Sequence, residues 1–150
     1  MEKVLDRFIF YLLLSPILIT LAVILFGFAY QSWLKLSKDF RNEPCSPDAF
    51  IERKSCIIGR TIVKGSVNIG ILKQKLYLSH TSPLNYFIHP LLIDLDAITK
   101  IEPFFDSFLG GRCYKFFIGD PNITTLVLAQ DLIEKLESDY GEPIFTNKLA

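Results

Sequence analysis

Neither charge is in excess: sixteen Lys and Arg balance sixteen Asp and Glu in 150 residues, which argues against nucleic-acid binding. Cysteine is scarce. Cys45, Cys56 and Cys113 are an odd number with no dense spacing, so no disulfide framework is written here, although a Cys45–Cys56 bridge stays open for an oxidising space. Only two histidines occur, His80 and His89, and no compact zinc pattern surrounds them. Gly59, Gly65 and Gly70 form neither G-x-G-x-x-G nor G-x-x-x-x-G-K-[ST], so no nucleotide loop and no cofactor is indicated. Internal repeats and low-complexity stretches are also missing, which excludes a fibre or a disordered chain.

What the sequence does have is one long apolar run. Nineteen of the 23 residues from Phe8 to Tyr30 are apolar and none is charged. A helix of that length rises about 35 Å, enough for a hydrocarbon core of ~30 Å. Fifteen of the residues are Leu, Ile, Phe or Val, worth roughly −4 to −9 kcal/mol together on insertion, which outweighs Ser15, Pro16, Thr20 and Gly27. A cleaved signal peptide has an apolar region of about 7–15 residues and small residues at its cut; Gly27-Phe28-Ala29 is a poor site. The expectation is a single uncleaved transmembrane helix over 8–30, after a tail at 1–7. Tyr11, Tyr30 and Trp33 fall where amphipathic rings anchor at the membrane interface. Lys35, Lys38 and Arg41 follow the run while Lys3 and Arg7 precede it, which places the C-terminal domain in the cytoplasm. Asn122-Ile123-Thr124 matches a glycosylation acceptor, which matters only on the other side.

Residues 31–55 read as a juxtamembrane helix and linker. The helix continues to Phe40, Asn42 and Pro44 break it, and Ser46-Pro47-Asp48 resembles the start of a short helix running to about Arg53. From Ser55 onward the periodicity becomes two. Val67, Ile69 and Ile71 alternate with polar residues, Lys73-Gln74 supply a turn, and Lys75 to His80 alternates again. Further short strands are expected at Tyr86–His89, Ile93–Leu95, Ile98–Phe105, Arg112–Ile118 and Thr124–Leu128. Gln130 to Tyr140 then places Leu132, Ile133, Leu136 and Tyr140 on one helical face, and Gly141 and Pro143 stop it.

Lys75-Leu76-Tyr77-Leu78-Ser79, then a loop, then Ile93-Asp94-Leu95-Asp96-Ala97-Ile98-Thr99-Lys100-Ile101 resembles the heart of a GRAM or bacterial pleckstrin-homology-like domain. Such domains read roughly "g-x-L-y-L-t", a hairpin, then "i-p-L-s-d-I-x-x-V". The resemblance covers about residues 60–140 and departs at Ser79-His80-Thr81, at Asp94 and at Ala97. It implies a mainly β domain with one C-terminal α-helix, a pleckstrin-like split β-barrel, over 56–142 with a tail at 143–150. In that family the first hairpin often holds phosphate, which makes Lys64, Lys73 and Lys75, with Arg60, the candidate lipid-headgroup residues.

Catalytic chemistry is poorly represented. His80 and His89 read as surface residues at strand ends, Asp94 and Asp96 as a solvated strand face, and Cys56 and Cys113 as buried structural thiols. An enzyme would need a pocket gathering His80, His89, Asp94 or Cys113, and none is named by the sequence. No metal site and no small-molecule substrate is expected. Charge is more informative: Lys35 to Lys75 carries nine bases and four acids, Asp94 to Glu142 four bases and ten acids. A base beside an anionic leaflet is worth about 1 kcal/mol. The expected function is therefore a single-pass anchored binding or scaffold protein, its basic half on membrane lipid and its acidic half toward the cytosol or a protein partner. A second reading keeps the anchor but puts the domain on the non-cytoplasmic side, as an assembly factor or subunit of an envelope complex.

Overall fold

The computed structural model describes residues 2–81 and 83–149, with only the backbone for residues 2–10 and 12. Met1 of the expected N-terminal tail, Ser82 of the loop after His80 and Ala150 of the expected C-terminal tail lie outside the described residues. One helix, α1, runs from Glu2 to Phe40. The chain divides into two compact units, the first ending at Gln31 and the second beginning at Ser32. Among the described residues, one helix is long and apolar enough to cross a membrane. Leu13, Ile17, Leu21 and Phe28 of the first unit are all exposed, and Thr20 Oγ1 donates to the carbonyl of Pro16 itself at 2.7 Å.

The second unit is mainly β. Its strands are β1 (Ala49–Ile58), β2 (Thr61–Leu72), β3 (Lys75–His80), β4 (Leu91–Ile93), β5 (Ile98–Asp106), β6 (Gly111–Ile118) and β7 (Thr124–Ala129), followed by α2 (Gln130–Tyr140). They form one curled antiparallel sheet in the order β4-β3-β2-β1-β7-β6-β5. Two meanders, β1 to β4 and β5 to β7, join through the short pairing of Ile57 with Val127 and Ile58 with Leu126. Two register shifts in β1, around Arg53 with its φ of 54°, bend the strand and tighten the twist that curls the sheet.

Alternation sets the core. Val67, Ile69 and Ile71 of β2 stand opposite His80, Leu78 and Leu76 of β3, all buried on one face. The turn between these strands is Lys73-Gln74, both left-handed (φ 48° and 62°), as a two-residue hairpin requires. Neither residue is glycine, and Asp48 Oδ2 accepts the Lys73 N–H at 2.9 Å to hold the turn. Gly70 answers a different need: a Cβ there would sit 2.6 Å from Ala49 O and 2.9 Å from Pro47, so its bare backbone lets the chain entering β1 cross close by.

That crossing corrects the expected helix start at Ser46-Pro47-Asp48. The chain is extended from Ala49, and β1 satisfies its backbone groups against β2, pairing Ala49 with Ile71 and Ile51 with Ile69. Tyr86–His89 is likewise not a strand: Leu84–Tyr86 form a 3₁₀ turn, and Leu84 O accepts the N–H groups of both Phe87 and Ile88. The strand expected at Ile93–Leu95 lies two residues earlier, where Leu91, Leu92 and Ile93 pair with Leu78, Tyr77 and Leu76.

α2 has the expected limits and ends at Gly141 with φ 91°. It buries Leu132, Ile133, Leu136 and Glu137. The residues beyond it are no loose tail. Phe145 is 1% exposed and meets Phe116 edge-on at 5.6 Å. Glu137 accepts from the Phe145 N–H at 2.5 Å, the Thr146 N–H at 2.8 Å and the Thr146 hydroxyl, so a buried carboxylate folds this segment back into the core. Lys148 Nζ completes the closure by donating to Leu95 O.

Candidate functional site

The second unit starts inside α1, not at residue 56. Trp33 is 2% exposed and Leu36 is fully buried, while Lys35 and Lys38 on the other side of the helix are exposed. The Trp33 ring lies 4.2 Å from the His80 ring, and its Nε1 donates to His89 O at 3.1 Å. The expectation that Trp33 anchors at the lipid interface is therefore corrected: its ring is buried against the β domain. Arg41 continues the attachment, bridging Leu91 of the β4 edge and placing Nη2 2.6 Å from His89 Nε2, while Asn42 N donates to Pro90 O at 2.9 Å. These contacts cover one edge of the sheet. The other edge, β5, carries Pro103, Lys100 and Glu102, which discourage further pairing.

The same contacts define one end of the domain. Arg41 pairs with Leu91 at the β4 edge, Trp33 lies against His80, the last residue of β3, and both reach His89. Ser32 then meets the β1–β2 turn, where a Cβ on Gly59 would collide with Ser32 Oγ and come within 3.0 Å of Thr124 Oγ1. Ser32, the Gly59-Arg60 turn and the β3–β4 loop are thus gathered together. The four expected headgroup residues are not. Arg60 lies exposed on this turn, and Lys64, farther along β2, holds its ammonium 5.3 Å from the Phe108 ring centre. Lys73 and Lys75 lie at the opposite end of β2, up to about 40 Å along the strand from Arg60. Lys75 Nζ is there paired with Asp94 at 2.5 Å.

A second basic arrangement, without a sequence signal, covers β5 and β6. Lys115 lies 5.4 Å from the Phe104 and Phe117 ring centres, and Lys100 lies 5.9 Å from Phe117. Their stems shield apolar rings on the outer sheet face. The acids of α2, Asp131, Glu134 and Asp139, are exposed on its solvent side.

Reactive groups are dispersed. His80 is a correction: it is 1% exposed beneath Trp33, not a surface residue. Burial lowers its pKa to about 4 against the opposing pull of a hydrogen bond with the Ser66 backbone. Burial pushes the Cys56 thiol up to about 12 and raises Cys113 as well, the latter helped by the negative charges of Asp106 and Asp131 and opposed by a hydrogen bond with the Asp106 backbone. Both thiols are buried, Cys45 is exposed, and all three are free. His89 faces Arg41 and Asp94 faces Lys75. Among the described residues, no three His, Cys, Asp or Glu side chains come together as a metal site. A cavity of about 240 Å³ between β1, α2 and the β5–β6 hairpin is lined by Lys54, Asp131, Lys135, Phe108 and Leu132.

Comparison with protein-family models, with curated proteins and with solved structures finds no match.

Proposed function

We propose that this chain is a single-span anchored binding module, with residues 8–30 crossing the bilayer and the β domain docked by its Ser32 end on anionic headgroups. The observation that carries this reading is the burial of Trp33 and Leu36, only three and six residues after Tyr30. Three residues reach at most about 11 Å, so a domain stapled at Trp33 has no tether with which to leave the surface. Confinement of this kind raises the local lipid concentration, so contacts of about 1 kcal/mol per base suffice. Lys35 and Lys38 on the helix, Arg41 just after it and Arg60 on the β1–β2 turn are the bases of this end of the domain. Tyr11 and Tyr30 are nineteen helical residues apart, about 28 Å, which suits rings at the two interfaces. The excess of bases after the span favours the cytoplasmic side.

The pleckstrin-like reading of the domain is supported by two antiparallel meanders and a single closing C-terminal helix. Its apolar signature positions Leu76, Leu78, Ile93, Ile98 and Ile101 are all core residues. Of the candidate bases, Arg60 is the one at the tip of the first hairpin, where the resemblance implies phosphate. Binding rather than catalysis suits the buried groups: both thiols stay protonated at neutral pH and His80 stays neutral with no nucleophile beside it.

Hydrogen exchange of the full chain in lipid nanodiscs tests the proposal. Slower exchange at residues 59–61 is expected with anionic than with zwitterionic lipid, reversing near ~1 M salt where the screening length is ~3 Å. Combined charge reversal at Lys35, Lys38, Arg41 and Arg60 should abolish the difference, and reversal at Lys73 and Lys75 should not. Identical exchange in both lipids would refute the docking.

A further inference from the structure

The loop between β3 and β4 is built differently from the other surface loops. Thr81 N donates to Ser66 O at 2.9 Å on one side. On the other, Ile88 is buried, and Trp33, Arg41 and Asn42 hold His89 and Pro90. Between these supports the 3₁₀ turn fixes the tip through Leu84 O. On that tip Tyr86 and Phe87 are 80% and 79% exposed, more than any other large apolar side chain of the second unit among the described residues. Adjacent aromatic rings facing outward from a hydrogen-bonded turn form a contact surface.

Composition says what they contact. From Thr81 to Pro90 there is no Lys, Arg, Asp or Glu, whereas the β5–β6 and β6–β7 hairpins carry Asp106 and Asp120. An uncharged tip bearing Tyr and Phe, with Arg41 exposed at its base, has the make-up of an interfacial anchor: rings at the acyl boundary, a cation at the phosphates. Position agrees. Trp33 is bound to His89, at the base of the loop, and lies within about 11 Å of Tyr30 by chain length.

We infer that Tyr86 and Phe87 form a membrane wedge that enters the headgroup–acyl boundary of the bilayer beside the anchor. This rests on the proposal that the domain docks on the membrane, and adds an apolar, salt-insensitive contact to the electrostatic one.

The chain's single tryptophan, Trp33, is buried, so a Phe87→Trp variant adds one reporter over a quiet background. The full chain is placed in phosphatidylcholine vesicles whose lipids carry bromine high on the acyl chains. The added emission of Phe87→Trp should fall about twofold relative to unbrominated vesicles and stay quenched at ~1 M salt. Phe105→Trp, equally open on the β5–β6 hairpin at 73% exposure, should not be quenched. An unquenched Phe87→Trp overturns the wedge, as does quenching at Phe105→Trp alone. If anionic lipid still protects residues 59–61 in that case, docking stands and only the wedge falls; if that protection is also missing, both fall. Both substitutions replace exposed rings, so an unchanged melting temperature confirms that the fold is intact.

Discussion

Protonation of His80 should destabilise the domain at the point where the helix joins it. The imidazole is buried under Trp33, and burial holds its pKa at about 4 while the unfolded chain titrates near the ordinary 6.5. The folded state thus disfavours the proton. Its advantage is complete above about pH 6.5 and is lost as pH falls from there toward 4. The full difference, 6.5 less 4, corresponds to about 3 kcal/mol, and at pH ~4.5 about 2.5 kcal/mol of it should be gone. That is a large share of a stability of about 5–15 kcal/mol. Urea unfolding of the detergent-solubilised full chain, followed by Trp33 emission, measures the loss between pH ~7.5 and ~4.5. A His80→Phe variant keeps a flat ring and cannot take up the proton, so its loss should be smaller by about 2.5 kcal/mol. Carboxylates titrate in both chains and cancel in the comparison. Equal losses in the two chains would refute the claim that a buried neutral imidazole supports this junction.

Trp33→Ala removes the ring that joins the helix to the β domain and should cost about 3–5 kcal/mol, with new proteolysis between Gln31 and Asn42 as the direct sign of release. Phe145→Ala should cost a similar ~3–5 kcal/mol, and its effect should be strongly non-additive with Glu137→Gln in a double-mutant cycle, since both act on the same folded-back segment. Gly59→Ala meets a φ of 61° and Ser32 Oγ together, so a loss of about 2–3 kcal/mol in the melt of the full chain is expected, against about 1 kcal/mol for Gly65→Ala, where φ is 58° and nothing lies within 4 Å.

Periodicity made much of the fold legible. The β2–β3 hairpin could be read because Val67, Ile69, Ile71, Leu76 and Leu78 alternate cleanly, and α2 because its stripe ends at Gly141. β1 could not, because its middle, Glu52-Arg53-Lys54, is exposed across two register shifts and shows no alternation, while Pro47 and Asp48 imitate a helix start. Asp48 instead serves a turn twenty-five residues away. The junction was hidden for a related reason: an aromatic just beyond an apolar run has the same local signature whether it meets headgroups or a protein core. Only the long-range contacts of Trp33 with His80 and His89 decide between them. Likewise, four bases close in sequence suggested one patch, yet β2 is long enough to carry Arg60 and Lys73 to opposite ends. Phe145 lay past two helix stops, and nothing local marks a returning strap.

The anchored state itself is tested most directly by washing membranes from cells expressing the full chain with alkaline carbonate, then weighing the intact protein by mass spectrometry. The chain should remain in the pellet until detergent is added, with residues 8–30 still attached. Protein released by the carbonate wash, or a mature chain that begins after Tyr30, would contradict the account.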